Sequence, residues 1–170
     1  MNLDGKLDSK RWEYGKEIII NMTFNCIGIK PKNKKGERFD SNNWWWRSLW
    51  DYVCIRSNDV IDENLRKGGH FNDGMEVSEQ LCSLISKRIR GSLENGDVKR
   101  CEEENKRLYE RLPEQFCYFC NGSGEKEKGI ICEACSGKGI TKIGFFYPFD
   151  EDFVKKFLEF VENSGGFEIW

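Results

Sequence analysis

Cys117-Tyr-Phe-Cys120-Asn-Gly-Ser-Gly124 and Cys132-Glu-Ala-Cys135-Ser-Gly-Lys-Gly139 write one pattern, CxxCxGxG, twice within 23 residues. Each copy presents two thiolates from one tight turn. Two such turns supply the four-sulfur tetrahedron that Zn²⁺ prefers. The glycines let the backbone wrap its N–H groups around sulfur at positions where a Cβ would be strained. The 11 residues Asn121–Ile131 suffice for a short hairpin that carries the second pair back to the first. Redox use of two CxxC pairs would call for the strand-then-helix setting of a thioredoxin-type site, which this segment lacks. The spacing therefore predicts a bound zinc.

Two further clusters could do chemistry. Trp44-Trp45-Trp46 is followed by Arg47. Successive helical residues point about 100° apart, so three tryptophans sweep about 200° and cannot all enter one core. Trp46 shares a face with Trp50 and reads as core. Trp44 and Trp45 are left to lie beneath another segment, with 55–74 the candidate cover, or to form a ligand shelf or partner anchor. Arg47 could clamp an anion or stand as a surface arginine. His70-Phe71-Asn72-Asp73-Gly74 brings an imidazole, an amide and a carboxylate together. His70 is the only histidine, so any histidine base is this one. The same Asn-Asp-Gly is also an ordinary turn sequence. No GxSxG, HExxH, P-loop or dinucleotide motif accompanies these residues, and no reaction is named.

The elements that must position these groups read as an α+β domain spanning residues 1–170, with a small sheet and about four helices. A four-cysteine zinc knuckle is inserted at 114–139. Residues 17–29 are β-branched and aromatic, and predict a long central strand. Pro31–Gly36 is a polar turn. Ser41 is expected to cap a helix over 43–54 that buries Trp46, Leu49, Trp50 and Val53. Residues 55–74 show no sustained period and read as a long loop. Ser78 caps a helix with Leu81, Ile85, Ile89 and Leu93 at steps of four. Asn95-Gly96-Asp97 separates it from a helix over 98–112, whose 102–107 stretch reads as a solvated face with i,i+4 charge pairs. Residues 140–146 predict a strand. Asp150 caps a last helix carrying Phe153, Phe157, Leu158 and Val161, and 167–170 reads as a short edge strand.

Lys+Arg and Asp+Glu nearly cancel, at 27 and 29, so no domain-wide grip on nucleic acid is indicated. Lys30, Lys32, Lys34, Lys35 and Arg38 could meet phosphates, but a lysine-rich turn is more simply solvated. No apolar run approaches the roughly 20 residues that span a bilayer, and the first residues lack a signal-peptide core. The four cysteines outside the repeats, Cys26, Cys54, Cys82 and Cys101, are scattered among apolar segments. They read as small core residues of a protein in the reducing cytoplasm.

The 23 residues Cys117–Gly139 resemble the cysteine-rich region of DnaJ-type co-chaperones, where CxxCxGxG repeats pair to bind zinc. That family usually carries four repeats and two metals. With two repeats, the resemblance implies one structural zinc on Cys117, Cys120, Cys132 and Cys135. It does not extend to co-chaperone activity, because His70 is followed by Phe71 and Asn72 rather than by Pro-Asp. The chain also resembles small uncharacterised proteins of bacteria and their phages in its Asn-Asn-Trp-Trp-Trp-Arg, Gly-His-Phe-Asn-Asp-Gly and C-terminal Gly-Gly-Phe-Glu-Ile-Trp segments.

In the DnaJ-type family the zinc region is a protein-contacting element. The expectation is thus a non-enzymatic cytoplasmic binding protein, anchored by Trp44, Trp45, Tyr118 and Phe119. The phage resemblance implies a host or defence protein as partner. For Tyr118 and Phe119 a small aromatic minicore is the alternative. A small-molecule pocket, nucleotide-like or enzymatic, would instead gather Trp44, Trp45, Arg47, His70, Asn72 and Asp73.

Overall fold

The computed structural model describes residues 23–143 and 146–170. In chain order the elements are β1 (Thr23–Gly28), β2 (Arg38–Asn42), α1 (Asn43–Arg56), α2 (Glu63–Gly68), β3 (Met75–Val77), α3 (Glu79–Glu94) and α4 (Asp97–Arg111). There follow β4 (Glu114–Phe116), β5 (Glu125–Glu127), β6 (Ile130–Ile131), β7 (Ile140–Lys142), α5 (Glu151–Ser164) and β8 (Phe167–Ile169). The fold is mixed α+β, as the periodicities imply. The chain forms two compact units, one of residues up to Arg100 with Tyr147–Trp170, the other Cys101–Phe146. The cysteine repeats lie within the second unit.

In the first unit an antiparallel sheet runs β2-β1-β8-β3. β1 is interior, as its apolar composition demands; the part of the expected strand before Thr23 lies outside the described residues. β8 is not an edge. β3, three residues long and without a period of its own, adds to its outer side and takes the edge position. Helices α1, α3 and α5 supply the apolar faces that cover this core.

Helix α1 buries Trp46, Leu49, Trp50 and Val53, the 3.6-residue stripe of the sequence. Phe24, Trp46 and Trp50 form a stacked column, with centroid separations of 5.5 Å at each step. The cap of α1 is Asn42 rather than Ser41. The Asn42 side-chain oxygen accepts from the N–H groups of Trp44 and Trp45, whereas Ser41 sits inward on β2 and donates to the Asn42 carbonyl. Both residue types can cap; the length of β2 selects the second.

Residues 55–74 are not a plain loop. Asp62 caps α2 by accepting from Leu65 N–H at 2.8 Å. Two indole N–H groups then tie this segment to α1: Trp46 donates to Gly69 O at 2.7 Å and Trp50 to Arg66 O at 3.1 Å. At α3, Ile85 and Ile89 are fully buried, while Leu81 and Leu93 are half-buried and Cys82 takes the inner place. Asp150 caps α5 by accepting from Phe153 N–H, and Gly165 ends that helix in the left-handed region.

Candidate metal centre

In the second unit β4 leads directly into Cys117 and β7 leaves Gly139, and the two strands pair antiparallel. Between them each CxxCxGxG copy folds into the same knuckle. Gly122 N–H donates to Cys117 O at 3.2 Å, and Gly137 N–H to Cys132 O at 3.2 Å. Gly124 N–H donates to Cys120 Sγ, and Gly139 N–H to Cys135 Sγ, each at 3.3 Å. The copies also clasp one another. Cys117 N–H donates to Gly139 O and Cys132 N–H to Gly124 O, both at 2.8 Å. An approximate twofold therefore relates the repeats.

The glycines at the eighth position are required by close approach as well as by φ. A Cβ on Gly124 would lie 2.4 Å from Gly137 O, and one on Gly139 would lie 2.3 Å from Gly122 O. Larger residues would hold the repeats apart.

This clasp brings the four cysteine sulfurs within 4.8 Å of one another, and all four residues are buried. Cys117 and Cys132 stand 3.9 Å apart, Cys120 and Cys135 3.7 Å. Burial pushes the Cys132 thiol up to about 11. At Cys120 burial acts the same way, but donation from Gly124 N–H and the neighbouring thiols Cys117 and Cys135 brings it down to about 7. Four converging sulfur donors with backbone N–H groups aimed at two of them can hold a metal ion. By contrast, burial pushes Cys54 up to about 12 and Cys82 to about 11, so these thiols of the first unit stay protonated and pack as apolar residues.

Tyr118 and Phe119, between Cys117 and Cys120, point outward at 72% and 52% exposure and pack edge to face at 6.0 Å. Two exposed apolar residues missed from the sequence flank the knuckles. Phe116 rests on Gly122 and Ile131 on Gly137, each immediately preceding the first cysteine of its repeat. That shared position was the available signal.

The other candidates lie in the first unit. Trp44 and Trp45 are half-buried, packed on Tyr147 at 5.4 Å and Phe153 at 5.3 Å. Arg47 Nε donates to Asn43 on its own helix. His70 Nε2 lies 3.1 Å from Asp51 Oδ1, a partner that no sequence pattern points to, and its Nδ1 is buried without a hydrogen-bond partner among the described residues. Asn72 and Asp73 are exposed. Elsewhere in this unit a cleft of about 290 Å³ opens beside Cys82, lined by Lys32, Glu79, Ser83 and Glu162. Within the basic stretch, Lys32 donates to Glu162 O, Lys35 pairs with Glu159 and Arg38 with Asp40.

Among the described residues no helix is long and apolar enough to cross a membrane. The chain matches no family model, no curated protein and no solved structure, so its likeness to DnaJ-type repeats rests on the two motifs.

Proposed function

We propose that residues 101–146 form a zinc-stabilised unit through which this protein binds another protein, without catalysing a reaction. The observation that carries the reading is internal. Repeat two makes its knuckle with Glu133 and Ala134 between the cysteines, so the turn has no need of aromatics there; repeat one nevertheless shows Tyr118 and Phe119 to solvent. Two large rings held on a rigid turn are suited to anchor an interface at low entropic cost. Zinc as the ion is supported by the all-sulfur donor set. Sulfurs about 2.3 Å from a tetrahedral zinc stand about 3.8 Å apart; the two cross-repeat pairs lie at 3.9 and 3.7 Å, and all four sulfurs within 4.8 Å of one another. Likeness to DnaJ-type repeats favours a protein over a nucleic acid as the partner, and likeness to bacterial and phage proteins favours a cytoplasmic host or defence protein.

The test is to transplant the pair from repeat two. Tagged wild-type chain and the Tyr118→Glu/Phe119→Ala variant are purified from a bacterial host and their zinc and co-purifying proteins quantified. One stoichiometric partner, weakened roughly thirtyfold in the variant at unchanged zinc content, is the expected result; a hot spot of about 2 kcal/mol gives that factor. Equal partner recovery from both proteins, or none from either, sinks the proposal.

A second reading, a small-molecule pocket near His70, is favoured by its Nδ1, which has no hydrogen-bond partner among the described residues, beside the Asp51 contact. Purification of the chain with an ultraviolet-absorbing ligand, released by His70→Ala, would shift the assignment there.

A further inference from the structure

The pairs at 3.9 and 3.7 Å, Cys117 with Cys132 and Cys120 with Cys135, each join one repeat to the other. Reciprocal Cys117 N–H to Gly139 O and Cys132 N–H to Gly124 O bonds hold them opposed. Access is unequal. Cys120 and Cys135 are 7% and 6% exposed, while Cys117 and Cys132 are fully covered.

We infer that a peroxide converts the cluster into two disulfides that cross between the repeats, Cys120–Cys135 first and Cys117–Cys132 second, so that the knuckles stay joined when their metal is lost. The inference rests on the zinc reading of the four cysteines and is independent of the partner.

The chemistry balances with hydrogen peroxide as the named oxidant. The Cys120 or Cys135 thiolate attacks one peroxide oxygen, the O–O bond breaks, and the departing hydroxide takes a proton to become water. Its opposite thiolate attacks the sulfenic sulfur, the S–O bond breaks and a second water leaves. Two thiolates, one H₂O₂ and two protons thus give one disulfide and two waters. Closing each bond brings sulfurs from 3.7–3.9 Å to about 2.05 Å, a sub-ångström to ångström movement of each side chain. A second peroxide repeats the reaction at Cys117 and Cys132, and no thiolate remains to hold an ion.

The sequence supplies a clean readout. Trypsin cuts after Arg111, Lys126, Lys128 and Lys138, separating a peptide 112–126 with the first cysteine pair from a peptide 129–138 with the second. Zinc-loaded full-length protein is treated with hydrogen peroxide, remaining thiols are alkylated, and the unreduced digest is examined by mass spectrometry while a chelating dye follows zinc release. The expected result is peptides 112–126 and 129–138 linked to each other, with Cys120–Cys135 predominating at partial oxidation and Cys26, Cys54 and Cys82 still alkylatable on unfolding. Separate peptides, each with an internal CxxC disulfide, overturn the inference, as do sulfonic acids without a cross-link. Zinc content before peroxide is read independently: a chain that binds none overturns the metal reading itself.

Discussion

The two knuckles reach one backbone by one route. Asn121 and Ser136 sit at φ of 49° and 51°, Gly122 and Gly137 at 85° and 80°, Gly124 and Gly139 at 81° and 71°. Their hydrogen bonds to carbonyl and sulfur agree to within about a tenth of an ångström at most positions, and each donates to the other's last glycine. What differs is Tyr118-Phe119 against Glu133-Ala134, Asn121 against Ser136, which adopt the same φ, and Ser123 against Lys138. A turn made twice in one chain is its own control. Residues common to both copies do the folding, and residues that differ are free of that duty. Cysteine and glycine are therefore structural here, and the aromatic pair is what demands another explanation.

The largest effect should come from removing what both copies share. On the zinc reading, a chelator, or Cys→Ser at any one of the four clustered cysteines, removes the cross-link that holds the unit together. Structural zinc in small domains contributes on the order of 10–16 kcal/mol to folding. Hydrogen exchange should lose protection across 114–139 whichever repeat carries the substitution. The sheet and the helices α1, α3 and α5 should keep theirs, because their core is built from Phe24, Trp46, Trp50 and Phe157 and contains none of the four ligands. Exchange that opened only around the mutated repeat would break the equivalence of the two.

Next in size is the glycine clasp. Ala at 124 or 139 meets both left-handed strain, about 1–3 kcal/mol, and a backbone oxygen inside 2.5 Å. Gly129, at φ of 87° with open space around its Cβ position, carries the strain alone. Zinc competition titrations should place Gly124→Ala and Gly139→Ala together, at least about tenfold weaker than Gly129→Ala, which is a difference of about 1.4 kcal/mol. A wide gap between the first two would show that one clasp matters more than the other.

How much of this was legible follows from the range of the signals. The clustered cysteines come in pairs three residues apart on one turn, so spacing alone exposes them. The stripe Trp46-Leu49-Trp50-Val53 and the caps Ser78 and Asp150 are equally local. Helix α2, at six residues, and β3, at three, are too short to show a period, and without β3 the last strand looked like an edge. The resting places of Trp44 and Trp45 depend on Tyr147 and Phe153, about a hundred residues away, and the Asp51 partner of His70 lies on another element. No local pattern encodes such meetings. Ser41 and Asn42 were adjacent capping residues, and the choice between them was made by the end of β2.

The smallest expected effect concerns the seventh position of each repeat, where the copies differ without consequence for the turn. The Ser123 hydroxyl lies 2.8 Å from both Cys120 O and Glu125 O and accepts from Glu125 N–H at 3.2 Å. It thus ties the first knuckle to the start of β5. Lys138 has no hydroxyl to offer, yet its own N–H still donates to Cys135 O at 3.0 Å, just as Ser123 N–H donates to Cys120 O at 2.9 Å. The knuckle closes through the backbone, and the hydroxyl only trims the hairpin that follows. One net hydrogen bond contributes about 0.5–1.5 kcal/mol, and Ser123 is only part-buried, which places it at the low end. Ser123→Lys, which makes repeat one copy repeat two, should raise hydrogen exchange at Glu125 and Glu127 while weakening zinc less than about tenfold. A loss of zinc on the scale of a cysteine substitution would mean that repeat one needs its hydroxyl to close, and that the two knuckles share a shape without sharing its cause.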